Sequence, residues 1–296
     1  MEKNNNTETS FKDKWEQNQD LAFSETLREG SEVQNWILNR NGWATKKELK
    51  QFLSDKRSIL DAGCGNGRVT ALLRECSDST TPVTGIDLVA FDVAANNLKK
   101  YENVKTHKAD LLEDNSRFGK FDFIYCQEVL HHTNDPEKSF KNLVNNNLAE
   151  KGCIAIYVYR KKAPVREFVD DYIRDNIKGL SYEDATKVCD QITELGKVLS
   201  DMKIKVKVPN VDVLKIEAGE YDLQRFIYHF FMKCFWSNDL SFVNNSAINY
   251  DWYHPQNCER YELEEIREWF NNAGLKITHE FADPYGITMQ GIHRNK

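Results

Sequence analysis

The sequence contains no apolar run approaching the roughly 20 residues that a membrane-spanning helix requires. Its opening stretch, MEKNNNTETS, lacks the apolar core of a signal peptide. Neither a spanning nor an exported protein is expected, and the expected compartment is cytoplasmic. Positive charge is also short: 40 Lys and Arg stand against 46 Asp and Glu, a formal net charge of −6. That balance offers no broad positive field of the kind duplex binding needs, so no nucleic acid and no membrane are expected as partners. Cysteine pairs are missing as well. Cys64, Cys76, Cys126, Cys153, Cys189, Cys234 and Cys258 are scattered, with no C-x-x-C and an odd total, which suits reduced, buried thiols better than a disulfide frame or a zinc site. No internal repeat is present.

What is there is an ordinary globular composition, 40% hydrophobic and 29% charged, which by itself sets no function. Residues 1–10 form a polar run with no periodic apolar face and are expected to be a disordered tail. Residues 11–56 read as an N-terminal helical cap: Trp36, Ile37 and Arg40 fall on one face, and Lys46 to Phe52 resumes after Gly42. From Arg57 to Arg160 the rhythm changes to short apolar strands alternating with amphipathic helices, the pattern of a parallel βαβ sheet. The strands are "RSILDAG", "TPVTGIDL", "NVKTHKAD", "FDFIYCQ" and "GCIAIYVY"; "RVTALLREC", "VAANNLKKY" and "PEKSFKNLVNNNL" read as helices. Asp135-Pro136 is a helix start with proline in the first turn.

At residue 161 the alternation stops, and a mainly helical insertion runs to 258. Val165, Phe168, Val169, Tyr172 and Ile173 repeat at helix spacing, and Ser181 with Asp184 resembles a capping box. "KIKVKV" alternates with period two and predicts a short strand with one lysine face, Lys203, Lys205 and Lys207. That face suits either a charge-protected edge or attraction of an anionic acceptor. Residues 259–296 return to a helix ending near Gly274 and two closing strands.

The most informative stretch is "SILDAGCGNGRV", where the first strand hands over to a helix. Gly63, Gly65 and Gly67 permit a tight turn and close backbone approach by a ligand, the position of a nucleotide site in open α/β sheets. The spacing is neither the dinucleotide G-x-G-x-x-G nor a phosphate loop ending in G-K-S/T. Asp61 repels a pyrophosphate and attracts a ligand carrying an ammonium group. Asp87, ending "TGIDL", is positioned to accept from both hydroxyls of a ribose, and Asp110 ends "HKAD".

These residues resemble the class I S-adenosylmethionine-dependent methyltransferase family. "ILDAGCGNGRVTALL" is similar to its first motif, "GIDL" to its ribose acid, "KADLL" to its adenine-side acid, and "FDFIYCQEVLHHTNDPEKSFKNLVNNNLAEKGCIAIYV" to its fourth and fifth strands. The resemblance implies an α/β fold: a Rossmann-like, seven-stranded, mostly parallel sheet with helices on both faces and the last strand antiparallel. The cap would precede it, and the insertion after strand 5 would be a lid. It implies that S-adenosyl-L-methionine is the cofactor and S-adenosyl-L-homocysteine the product. Gly63, Gly65 and Gly67 would line the methionine part, Asp87 the ribose, Asp110 with Leu111 the adenine, with Asp61, Leu88 and Gln127 also at the cofactor. "AEKGC" departs from the family's usual proline before glycine, which affects a turn only.

Methyl transfer from a sulfonium mainly needs in-line positioning and exclusion of water; a base is needed only where the acceptor must lose a proton. The candidates are His131, His132, Tyr159 and His254. Glu128, Tyr157, Arg160 and Lys161 lie nearby in the sequence. Glu128, His131 and His132 could share a helical face as metal ligands, but carboxylate-rich sites suit magnesium better, and no metal ligand is assigned. In "NYDWYHP", Tyr250, Trp252, Tyr253 and His254 either enclose an acceptor or anchor the insertion. Phe226, Ile227, Phe230, Phe231 and Phe235 read as insertion core or a dimer contact, which leaves a homodimer open. The expected partner is a small-molecule acceptor methylated on oxygen or nitrogen. The competing readings are a nicotinamide-dependent oxidoreductase, which the loop spacing and Asp61 oppose, and a non-catalytic binding protein.

Overall fold

A computed structural model of the protein describes residues 6–294. The chain divides into two compact units: Trp15–Arg160 with the chain from Glu259 onward, and Lys161–Cys258 with the N-terminal segment through Lys14. Of the expected disordered tail, residues 1–5 lie outside the described residues, whereas Thr7–Gln17 is a helix that begins inside it. The polar run hid it: Thr7, Ser10 and Lys14, none of them apolar, form its buried face.

The strands, in chain order, are β1 (Ile59–Ala62), β2 (Val83–Asp87), β3 (Val104–Lys108), β4 (Phe121–Gln127), β5 (Leu148–Tyr159), β6 (Lys205–Val208), β7 (Gly219–Asp222), β8 (Leu275–Ala282) and β9 (Gly286–His293). In the first unit seven of these form one sheet in the order β3-β2-β1-β4-β5-β9-β8. Neighbours from β3 through β5 are parallel, and β9 runs antiparallel to both β5 and β8. This is the expected mostly parallel Rossmann-like sheet with its last strand reversed.

Period-two alternation assigns each central strand to two faces at once. Leu60, Ile124, Cys126, Ile154, Ile156 and Val158 join Phe140, Leu143, Ile266 and Phe270 in one cluster, against helices Pro136–Asn142 and Leu263–Asn272. Ile59, Phe123, Tyr125, Cys153 and Ala155 join Ile37, Leu38, Leu49 and Leu53 in the other, against helices Glu32–Arg40 and Lys46–Leu53. Helix Arg68–Cys76 adds Val69, Leu72, Leu73 and Cys76, an i, i+3, i+4, i+7 stripe, to that second cluster.

The strand expected from Lys203 begins only at Lys205, because Lys203 itself takes a φ of 52°, and two helix boundaries also differ from the sequence reading. The helix expected through "VAANNLKKY" is Phe91–Asn97. The one expected through "PEKSFKNLVNNNL" ends as an α-helix at Asn142, continues as a π turn over Leu143–Asn147, and gives way to β5 at Leu148. The reason is a register shift between Phe121 and Phe123: Leu148 pairs with Phe121, but Cys153 pairs with Phe123, so the extra residues of β5 bulge. A Cβ on Gly152 would stand 2.7 Å from the Phe121 carbonyl, which is why the "AEKGC" turn carries glycine there.

The second unit contains helices Pro164–Ile177, Tyr182–Asp201, Leu223–Phe230 and Phe242–Tyr253 and the antiparallel pair β6–β7. Ser181 caps its helix by accepting from the Asp184 N–H at 3.2 Å. The "DWY" aromatics are interior anchors. Trp252 Nε1 and Tyr253 Oη both donate to the buried Asp170 carboxylate, at 2.9 and 2.8 Å. Phe226, Phe230, Phe231 and Tyr221 stack on one another half-buried, with ring centres 5.4–6.0 Å apart. Lys205 and Lys207 are exposed on β6, and Lys205 faces Glu220 of β7 at 3.5 Å.

Candidate functional site

The C-terminal ends of β1 through β5 form one edge of the sheet, where ligands bind in open α/β folds. Gly63, Gly65 and Gly67 follow β1 and all take positive φ, at 82°, 52° and 86°. A side chain at Gly63 would collide with Val129, and one at Gly65 would stand 2.7 Å from the Trp15 ring. The loop is tied to β2, because the Gly63 and Cys64 N–H groups both donate to the Ile86 carbonyl at 2.7 and 3.0 Å.

Asp87, at the end of β2, closes this arrangement. Its Oδ2 accepts from the Gly65 N–H at 2.9 Å, and its Oδ1 accepts from the Val89 and Ala90 N–H groups at 2.9 and 2.8 Å. The carboxylate is thus oriented by three backbone donors while remaining half-exposed. Leu88 follows it, half-buried. Asp61, on β1, is 2% exposed and accepts from Thr70 Oγ1 at 2.6 Å. Burial pushes its carboxyl up to about 7; the Thr70 hydrogen bond opposes that rise, neighbouring Asp87 adds to it, and Arg68 opposes it more weakly.

Asp110 stands two residues beyond β3, where its Oδ1 accepts from the Leu112 N–H at 2.9 Å. Leu111 is buried, and its carbonyl accepts from Asn142 Nδ2 at 3.0 Å. Gln127 ends β4 and accepts from the Tyr125 hydroxyl. That hydroxyl accepts from Asn41 Nδ2 at 3.0 Å, and Asn41 accepts in turn from Gln290 Nε2. A polar relay from the C-cap of helix Glu32–Arg40 through Tyr125 therefore fixes Gln127.

Of the proton-acceptor candidates, three come together. His131 and His132 occupy a 3-10 turn over Leu130–His132 after β4, and Tyr159 ends β5. The His131 ring lies 3.8 Å from the Tyr159 ring and 4.3 Å from that of His132, and all three are buried. Glu128 does not join them on a helical face: it adopts φ of 60° just past β4, with its carboxylate 3.5 Å from Arg68 Nη2. His254 belongs to the second unit, where Nδ1 meets Ser10 Oγ at 2.9 Å and Nε2 meets the Leu180 carbonyl at 3.1 Å. Burial lowers its pKa, and both ring nitrogens are engaged, so it holds structure.

Other contacts at this edge have no local signature in the sequence. Trp15 lies over the glycine loop. Asn66 Nδ2 donates to the Gln19 and Leu21 carbonyls at 3.2 and 3.0 Å, and Asn97 Nδ2 donates to the Gln19 carbonyl at 2.7 Å. Beyond β5, Arg40 is buried between aromatic faces, 4.6 Å from Tyr157 and 5.4 Å from Tyr285, with Nε 3.3 Å from Asp283.

An acid-rimmed, three-glycine loop thus stands at the strand ends where open α/β folds bind their ligands. A family model described as a methyltransferase domain matches residues 38–280. The chain belongs to that methyltransferase domain family. It is 31% identical over 102 residues to the ubiquinone biosynthesis O-methyltransferase of Coxiella burnetii, a match covering 32% of this chain and 42% of that protein. An uncharacterized protein of Synechococcus sp. is 33% identical over 116 residues, 37% of this chain and 27% of its own length. The chain thus spans less than half the length of these curated relatives. Among solved structures, PKMT2 from Rickettsia typhi in complex with AdoHcy is similar with a TM-score of 0.54 at 15% identity, covering 84% of this chain and 50% of that one. That likeness is one of fold.

Proposed function

We propose that this chain is an S-adenosylmethionine-dependent methyltransferase that transfers a methyl group to an oxygen or nitrogen of a small-molecule acceptor and releases S-adenosylhomocysteine. The observation that carries the reading is the Gly65–Asp87 bond, which ties a positive-φ glycine loop to a preset carboxylate at the neighbouring strand end. The charge set fits this cofactor better than a dinucleotide. Asp61 and Asp87 attract an ammonium group and ribose hydroxyls and repel a pyrophosphate, while Arg68, the adjacent cation, is engaged by Glu128 and Thr26.

When bound, S-adenosylmethionine supplies a methyl carbon on a sulfonium, open to direct displacement. An acceptor hydroxyl or amine attacking that carbon would have to give up its proton to a group of this chain. In this reading the glycine loop and Asp87 fix the cofactor, Asp110 and Leu111 flank the adenine, and Leu88 and Gln127 complete the wall. The His131–His132–Tyr159 cluster takes the proton, since its rings stand together past the ends of β4 and β5, at the ligand edge of the sheet. The likeness of a third of the chain to an O-methyltransferase favours oxygen as the methylated atom. All seven cysteines are free and buried, which supports the cytoplasm as the place of action. Among the described residues no helix is long and apolar enough to cross a membrane.

Calorimetric titration with S-adenosylhomocysteine, with NADH as control, tests the reading. Binding that Asp87→Ala weakens by about 1.5–3 kcal/mol, the range for hydrogen bonds to a charged group, supports it. Binding of NADH alone would overturn it.

A further inference from the structure

The ligand edge of the first unit carries a second cluster, beyond β5, that the cofactor reading does not use. Two arginines converge there on one residue. Arg40, 7% exposed in the last turn of helix Glu32–Arg40, donates from Nε to Asp283 Oδ2 at 3.3 Å. Arg160, half-buried just past β5, donates from Nη1 to the Asp283 carbonyl at 3.5 Å and has no acidic side chain paired with it among the described residues. Asp283 is already committed, since its Oδ1 accepts from the Tyr285 and Gly286 N–H groups at 2.7 and 2.8 Å. The other acid acting on Arg40, Glu128, faces Arg68 Nη2 at 3.5 Å. The two cations thus share a single carboxylate.

Aromatic rings enclose the Arg40 guanidinium, which lies 4.6 Å from Tyr157, 5.4 Å from Tyr285 and 5.8 Å from Trp36. Tyr157 is buried and locked in place: a Cβ on Gly286 would collide with its ring, which is why β9 opens on glycine. Trp36 and Tyr285 are half-buried, with ring centres 6.3 Å apart and planes tilted by 37°, so both keep part of a face open. Among the described residues Asp283 is the only hydrogen-bond partner of the Arg40 side chain, and neither Nη is sealed from solvent. A guanidinium fork without an acceptor, set between half-open ring faces, is matched by a planar carboxylate carried on an aromatic ring. The cluster adjoins the glycine loop within the same unit. The Tyr157 carbonyl accepts from the Glu128 N–H at 3.2 Å, and the next residue, Val129, fills the space a Gly63 side chain would need.

We propose that Arg40 and Arg160, with the rings of Trp36, Tyr157 and Tyr285, form the subsite that takes the methyl acceptor, an aromatic carboxylate held by its carboxyl group. The site stands on the geometry of one unit, while its assignment to the acceptor rests on the methyltransferase reading above.

The test titrates the full chain with benzoate, benzamide and cyclohexanecarboxylate by saturation-transfer NMR, with and without saturating S-adenosylhomocysteine. Benzoate should bind saturably in both conditions, about tenfold more tightly than benzamide, which lacks the charge. It should bind about threefold more tightly than cyclohexanecarboxylate, which lacks the π face. Arg160→Gln should weaken benzoate binding about tenfold while leaving S-adenosylhomocysteine affinity unchanged. Trp36→Leu should weaken it about threefold and is the second variant should the first not fold. The proposal is overturned if benzoate does not saturate, if either analogue binds as well as benzoate, if S-adenosylhomocysteine displaces it, or if a folded variant binds as tightly as the native chain. Failure of the native chain to bind S-adenosylhomocysteine would instead remove the methyltransferase reading and leave the benzoate result standing.

Discussion

Asp61→Asn should make the ligand-free protein more stable and the cofactor complex weaker, and should do so only above about pH 5. Asp61 is buried, and its carboxyl is raised from an ordinary 3.8 to about 7. A carboxyl with a raised folded-state pKa contributes full stability below its unfolded value, and that stability is lost as pH climbs from about 4 to about 7. At about 1.4 kcal/mol per pH unit the loss is about 4 kcal/mol. Asparagine preserves the acceptor for Thr70 and removes the ionisation, but it buries an amide N–H₂ that costs about 1–3 kcal/mol if it finds no partner. The net gain at pH 8 is about 1–3 kcal/mol, a rise in unfolding temperature on the order of 2–10 °C, with none at pH 4. A cationic ligand group beside Asp61 favours the ionised form, so S-adenosylhomocysteine should bind the native chain about tenfold more tightly per pH unit from pH 5 to 7. The variant should lose that slope. Differential scanning calorimetry and titration calorimetry across pH 4–8 supply both readouts. A variant less stable than native at pH 8, together with a flat native affinity profile, would refute the argument.

Trp15→Ala removes the ring over Gly65 and should weaken S-adenosylhomocysteine binding by about 1–3 kcal/mol, read by calorimetry, with unfolding temperature changed less than by a core truncation. Phe140→Ala, at a side chain fully enclosed 4.9 Å from Phe270, should cost about 3–5 kcal/mol in denaturant unfolding while cofactor affinity survives in the folded fraction. Once an acceptor is found, Tyr159→Phe and His131→Asn should each lower kcat and alter the acidic limb of its pH profile; unaltered profiles in both would exclude the cluster as proton acceptor.

The sheet was legible because each central strand is a short apolar run set between turn residues, and because glycine and aspartate recur at strand ends. The helix Arg68–Cys76 matches its sequence reading residue for residue, since its apolar stripe begins directly after Gly67. The first turn of helix Thr7–Gln17 was not legible, because the helix's buried face is made of Thr, Ser and Lys, whose burial depends on long-range partners such as His254 and Asp251. Glu128, His131 and His132 illustrate the same limit: spacing suggested one helical face, but the positive φ at Glu128 breaks it, and nothing local announces that turn. Trp15 carries no signal at all, since its neighbour Gly65 is distant in the chain.

The segment around Gln19 and Leu21 is fastened by backbone carbonyls to side-chain amides of Asn66 and Asn97, so its order is borrowed from the loop and helix that carry them. Whatever steadies Gly65–Gly67 steadies that segment, and whatever loosens the loop exposes it to proteases. Cleavage between helix Thr7–Gln17 and helix Phe23–Leu27 is therefore a gauge of cofactor occupancy that needs no substrate.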